Sequence, residues 1–126
     1  MTLAAVIAVS LLAILAVFQV ALALGAPWGD RSWGGRHPGV LPMRLRVASA
    51  VAGLVVYPVI GLVILASAGV IAERWVSVAP SALWVLTAFF LLGTLANAAS
   101  RSHRERIWAP VSLVIAICCG VIALGL

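Results

Sequence analysis

At 126 residues, of which 65% are hydrophobic and 9% charged, the chain is one domain with too much apolar surface for a soluble fold, since soluble domains are about 45–50% apolar and about 25% charged. Its net charge of +5 comes from arginine alone, with no lysine, set against Asp30, Glu73 and Glu105. The arginines flank apolar stretches instead of forming a patch, which argues against a nucleic-acid partner and for a lipid bilayer with anionic headgroups.

The first stretch, about residues 2–24, has no charge and one amide, Gln19. It is long enough to span, because about 20 apolar residues cross the hydrocarbon. Ala21-Leu22-Ala23 has the pattern of a signal cleavage site. A basic leader is missing, however, and the run exceeds the roughly 7–15 residues of a signal core, so a retained helix is expected. Loop 25–45 follows, its Gly and Pro content incompatible with a regular helix. A second span is expected over about 46–71, followed by a polar turn at Glu73 and Arg74. The third, about 80–99, opens on Pro80, and the fourth, about 108–126, carries Pro110 in its first turn, where a missing N–H costs little. Between them lies the charged loop 100–107. Lipid leaves helices as the plausible spans for such segments. The expected fold is therefore all-α: a membrane-embedded antiparallel four-helix bundle in a single domain, 1–126.

Arginine placement sets the expected topology. Arg31, Arg36, Arg44, Arg46, Arg101, Arg104 and Arg106 fall on one side of the membrane and Arg74 on the other. Excess arginine in short loops marks the cytoplasmic face, so both termini are expected outside, in a multi-pass cell-membrane protein. A lysine-free chain rich in Ala, Val, Leu and Arg fits a GC-rich bacterial genome, hence a bacterial inner membrane. Trp28, Trp33 and Trp108 would form an aromatic belt at the inner boundary, with Trp75 at the outer one and Trp84 as a further anchor.

No catalytic, phosphate-binding or metal-ligand motif is present, and no cofactor is implied. Cys118 and Cys119 are helix neighbours that cannot readily meet disulfide geometry. Polar candidates gather on the inner side. Were the third helix to run on past the membrane surface, Asn97, Arg101, Glu105 and Trp108 would share a face, with Glu105 pairing with Arg101 one turn back. That face reads either as an anion or headgroup pocket, with Arg101, Arg104 and Arg106 as cations over Asn97, or as a charged topology anchor. Loop one adds Asp30, Arg31, Arg36 and His37, and its tryptophans predict a loop folded against the membrane surface. His37 and His103 could serve as acid–base groups, or simply face headgroups. Within the spans, Gln19 is expected to bond a neighbouring helix or the loop backbone. Pro58 predicts a kink. Ser49, Gly53, Tyr57 and Gly61 form a four-residue stripe suited to close helix packing. No charged residue lies mid-span, which argues against a proton-driven exporter.

Gly25, Pro27, Trp28 and Gly29 in the run Ala23–Gly29, then Gly34-Gly35, Leu41-Pro42, and Asn97, Ser100, Ser102, Glu105-Arg106, Trp108 and Pro110 together resemble a family of small, uncharacterised four-helix integral membrane proteins from actinobacteria and related bacteria. The resemblance covers nearly the whole chain. It implies a fold and a location and brings no activity with it. Three functions stay open from the residues. The leading one is a non-catalytic accessory protein engaging a membrane-protein partner or anionic lipid through its cytoplasmic loops. A small channel or transporter built as a homo-oligomer would need a water path past Tyr57, Thr94 and Asn97. An interfacial enzyme acting on an amphiphile would use Glu105, Asp30 or His37 for acid–base work.

Overall fold

The structure, a computed structural model, describes residues 1–72, 74 and 77–126. Glu73 of the expected polar turn and Trp75, the expected outer anchor, lie outside the described residues. Regular structure among the described residues is entirely helical: α1 (Thr2–Ala23), α2 (Met43–Ser67), α3 (Ala82–Ala98) and α4 (Trp108–Ala123). Three stretches are long and apolar enough to cross a membrane, namely α1, α2 and α4 with the 3₁₀ turn Glu105–Ile107 that leads into it. At 17 residues α3 is shorter, rising about 25 Å at roughly 1.5 Å per residue.

The second helix is displaced from its sequence-based bounds at both ends, each for a local reason. Pro42 is extended (φ −61°, ψ 154°) and serves as N-cap, so the helix starts directly after it and takes Arg44 and Arg46 into its first turn. At the other end Gly69 adopts φ +76°. Its N–H donates to the Ala66 carbonyl, and that of Val70 to the Leu65 carbonyl. This paired closure consumes the last carbonyls and stops the helix at Ser67. The break expected at Pro58 is absorbed one turn earlier. Residues Ala52–Val56 form a π-turn, closed by the Tyr57 N–H bonding the Ala52 carbonyl, and the helix continues. A π-turn accommodates irregular bonding without ending a helix.

Helix α3 packs extensively against α4, and α1 lies against both α2 and α4, whereas α2 meets α3 and α4 only lightly. Small and branched side chains fill the centre, among them Ala5, Ala8, Leu12, Ile64, Ile115 and Cys119, all at most 2% exposed. Outward faces stay apolar: Leu3, Val17, Leu54, Leu92 and Leu95 are each at least 66% exposed. Apolar faces this exposed mark an interaction surface, in keeping with three stretches long and apolar enough to cross a membrane. Two further consequences matter for the site. The chain ends meet, the Met1 ammonium donating to the Leu126 carbonyl at 2.6 Å. At the other end of the molecule, loop one meets the α3–α4 connection, and the thin α2–α3 contact leaves a seam.

Candidate functional site: a loop-capped pocket

Loop one folds as two 3₁₀ turns, Gly29–Arg31 and Trp33–Gly35. Trp33, Gly34 and Gly35 all have left-handed backbone, with φ of 51°, 79° and 69°, a conformation strained for tryptophan. Gly35 is required on two counts. Besides its φ, a Cβ there would sit 2.5 Å from the Ser102 Cβ, so the loop and the α3–α4 connection touch only because that side chain is missing.

Named hydrogen bonds hold the loop down on each flank. The Ser102 hydroxyl donates to the Asp30 carbonyl, and Arg104 Nη1 pairs with Asp30 Oδ2 at 2.9 Å. Trp108 Nε1 donates to the Arg31 carbonyl at 2.9 Å, and Trp33 Nε1 to Ser49 Oγ at 3.0 Å. Arg46 Nε donates to the Ala23 carbonyl at 3.0 Å, occupying a carbonyl that the end of α1 leaves free. Beneath the loop, Phe18 stacks on Trp28 (centroids 6.1 Å apart, 4° between planes) and tilts against Trp108 at 4.7 Å.

Under this cap, at the α2–α3 seam, lies a cavity of about 260 Å³. Its walls are mostly apolar, with Leu15 and Phe18 from α1, Ala52 and Tyr57 from α2, and Phe89, Phe90 and Gly93 from α3. Polar groups gather around it: Gln19, Arg31, Ser32, Asn97, Glu105 and Ser112. Three of their buried atoms, Gln19 Oε1, Ser32 Oγ and Glu105 Oε2, have no hydrogen-bond partner among the described residues. Ser32 is 6% and Glu105 8% exposed. Burial disfavours the ionised form of Glu105, the amides of Gly34 and Gly35 offset part of that effect, and Oε2 has no hydrogen-bond partner among the described residues. An unsatisfied buried polar group costs about 1–3 kcal/mol, and more when charged. Three such atoms on residues that line one cavity form an arrangement that a polar ligand group, reached by a small side-chain adjustment, would stabilise.

The structure redistributes the residues singled out from sequence. Asn97, Glu105, Arg31 and Tyr57 line the cavity, and Asp30 instead anchors the loop to Arg104. Helix α3 does not run on to build the shared face that a longer third helix would carry. It ends at Ala98, the Ser100 N–H returns to the Asn97 carbonyl, and the Ser102 N–H bonds Ser100 Oγ. These side-chain and backbone bonds compete with helix continuation. Glu105 consequently reaches the cavity from its own 3₁₀ turn, with Arg101 left exposed and no shared face with it. Arg106 is exposed too, donating to the Ser100 carbonyl at 2.8 Å and lying 3.3 Å from His103 Nδ1. His37 does not line the cavity; its carbonyl packs against Gly29, where any Cβ would collide with it.

Gln19 was expected to bond a helix or the loop, but its Oε1 is one of the three partnerless atoms. Thr94 spends its hydroxyl on the Phe90 carbonyl of its own helix at 2.8 Å and does not line the cavity. The packing stripe divides as well. A Cβ on Gly53 would meet the Ala16 carbonyl at 2.8 Å, so α1 and α2 are in close approach there, whereas a Cβ on Gly61 would meet nothing within 4 Å. Ser49, fully buried, receives the Trp33 indole. Sequence reading missed Ser32, Phe18, Gly93 and Ser112. Only Ser112, a lone hydroxyl in an apolar run, gave any signal. Compared with protein families, curated proteins and solved structures, the chain matches none.

Proposed function

We propose that this chain is a membrane-embedded antiparallel four-helix bundle, both termini outside, that binds a single amphiphile by its polar end in the loop-capped pocket at the cytoplasmic boundary. The observation that carries this reading is a cavity with mostly aromatic and aliphatic walls whose lining residues include three, Gln19, Ser32 and Glu105, that each hold a buried oxygen without a hydrogen-bond partner among the described residues. An apolar enclosure with a few convergent polar groups is the usual form of a small-molecule site. Apolar outward faces on every helix support the embedding, and arginine placement supports the orientation. Because the α2–α3 contact is thin, a chain tail can leave sideways into lipid while the polar end stays beneath the loop.

Binding without turnover is favoured over interfacial catalysis. Asp30 is engaged with Arg104, and neither histidine lines the cavity, which leaves Glu105 with no second carboxylate or imidazole among the lining residues. The pocket is built by one chain, so this function does not require the oligomer that a channel would.

Gly93 provides the test. It lines the cavity, and a Cβ there meets only Ser112 Oγ at 3.8 Å, so Gly93→Ala should be tolerated while Gly93→Leu fills the space. Native mass spectrometry of protein released gently from membranes should show a bound amphiphile on the wild type and on Gly93→Ala, and its loss on Gly93→Leu. Equal adducts on all three would end the proposal.

A further inference from the structure

We infer that the polar group held in this pocket is a primary ammonium beside a phosphate, as in an aminophospholipid headgroup, with the ammonium on Glu105 and the phosphate on Arg31. The inference rests on the amphiphile-binding reading and goes on to name the chemistry of the occupant.

It follows from what the partnerless atoms can do. Gln19 Oε1 accepts only, an ionised Glu105 Oε2 accepts only, and Ser32 Oγ can accept. A group that satisfies them must be a hydrogen-bond donor, and an ammonium carries three donors on one atom. Its charge also answers the Glu105 carboxylate, which is 8% exposed and has no arginine bonded to it among the described contacts. An anionic headgroup in the same place would set like charges together away from water, which is costly.

The arginines support this division. Arg36, Arg44, Arg101, Arg104 and Arg106 are exposed and none of them lines the cavity, so most of the positive charge expected to bind an anion points elsewhere. Arg31 alone of the arginines lines it. One cation and one buried carboxylate lining the same cavity match a zwitterion, with the guanidinium suited to a phosphate. A cavity of about 260 Å³ lies near the lower limit of the usual ligand-pocket range of roughly 300–1,000 Å³. It suits a headgroup and the first carbons of a chain, the rest passing out along Phe89 through the seam.

Counting N–H donors at constant charge isolates the claim. Wild-type protein is placed in nanodiscs of a phosphatidylcholine matrix with phosphatidylethanolamine, its N-methyl and N,N-dimethyl forms, or phosphatidylglycerol, and the lipid retained after partial delipidation is identified by native mass spectrometry. Retention should fall stepwise as N–H groups are replaced by methyls, with phosphatidylethanolamine favoured over phosphatidylcholine by about tenfold or more, the scale of losing one hydrogen bond to a charged group. Glu105→Gln, which keeps shape and removes charge, should bring that preference close to one. Soluble phosphoethanolamine added in excess should fail to displace the lipid; displacement would name the free headgroup as a ligand instead and overturn the lipid assignment. Equal retention across the methylation series, or preference for phosphatidylglycerol, would overturn the inference while the pocket reading survives, provided Gly93→Leu still abolishes retention. Should Gly93→Leu leave every lipid's retention unchanged, the underlying reading fails with it. Because the methylation series uses wild-type protein, the test does not depend on Glu105→Gln folding.

Discussion

Ser49 and Trp33 show how a residue's type can be visible in sequence while its task is not. Ser49 belongs to a small-residue stripe and reads as a packing position; in the structure it is 0% exposed and receives Trp33 Nε1 at 3.0 Å. That bond ties the strained Trp33 turn to α2, and it gives a prediction with an asymmetric outcome. Trp33→Phe removes the donor and leaves a buried hydroxyl, at a cost of about 1–3 kcal/mol, whereas removing both partners together is cheaper than orphaning one. Adding Ser49→Ala to Trp33→Phe should therefore restore part of the lost stability, measured by denaturant unfolding in detergent micelles. Additive losses in the double variant would mean that the freed hydroxyl has found its own helix carbonyl and that the indole bond does not hold the loop. Glu105 teaches the same lesson. As one letter among arginines it reads as a charge-balancing neighbour, and nothing in its spacing reveals that the helix before it stops at Ala98 and delivers it inward.

Among the elements, helix existence was legible and helix ends were legible only where the chemistry is local. The long uncharged runs specify α1 and α4 closely. Helix α2 shifted because an extended Pro42 and a left-handed Gly69 decide its limits, features that hydropathy does not weigh. The α1–α2 interface could not be read at all, since a repeat of small residues says that close approach is allowed without saying where it happens. The structure places it at Gly53 and leaves Gly61 beside an open groove. Two alanine substitutions separate these roles. Gly53→Ala drives a Cβ to within 2.8 Å of the Ala16 carbonyl, a backbone atom that cannot swing away, and overpacking of that kind costs roughly 1–3 kcal/mol. Gly61→Ala meets open space and removes a flexible residue from a helix interior, which stabilises by roughly 0.5–1 kcal/mol. Unfolding midpoints should therefore move in opposite directions. A common direction would show that the stripe acts as one interface.

At the level of the whole molecule, the pocket and the arginines share one end, and orientation decides which compartment the pocket opens toward. Seven arginines lie in or beside the two loops of that end, and Arg74 lies between α2 and α3 at the other. A bias of this size in short connections favours one orientation over a mixture. Because Cys118 and Cys119 are buried, they can be replaced by alanine and reporter cysteines added at exposed positions: Thr2→Cys at the paired chain ends, and Val40→Cys in loop one, where Val40 is 53% exposed. A membrane-impermeant maleimide applied to intact bacterial protoplasts should label Thr2→Cys, and Val40→Cys should react only after permeabilisation. The reverse pattern would turn the pocket outward and remove the cytoplasmic leaflet as its source of amphiphile. Labelling of both sites in intact protoplasts would mean that arginine placement does not fix the orientation, because a population inserted both ways presents each loop to the reagent in half of its copies.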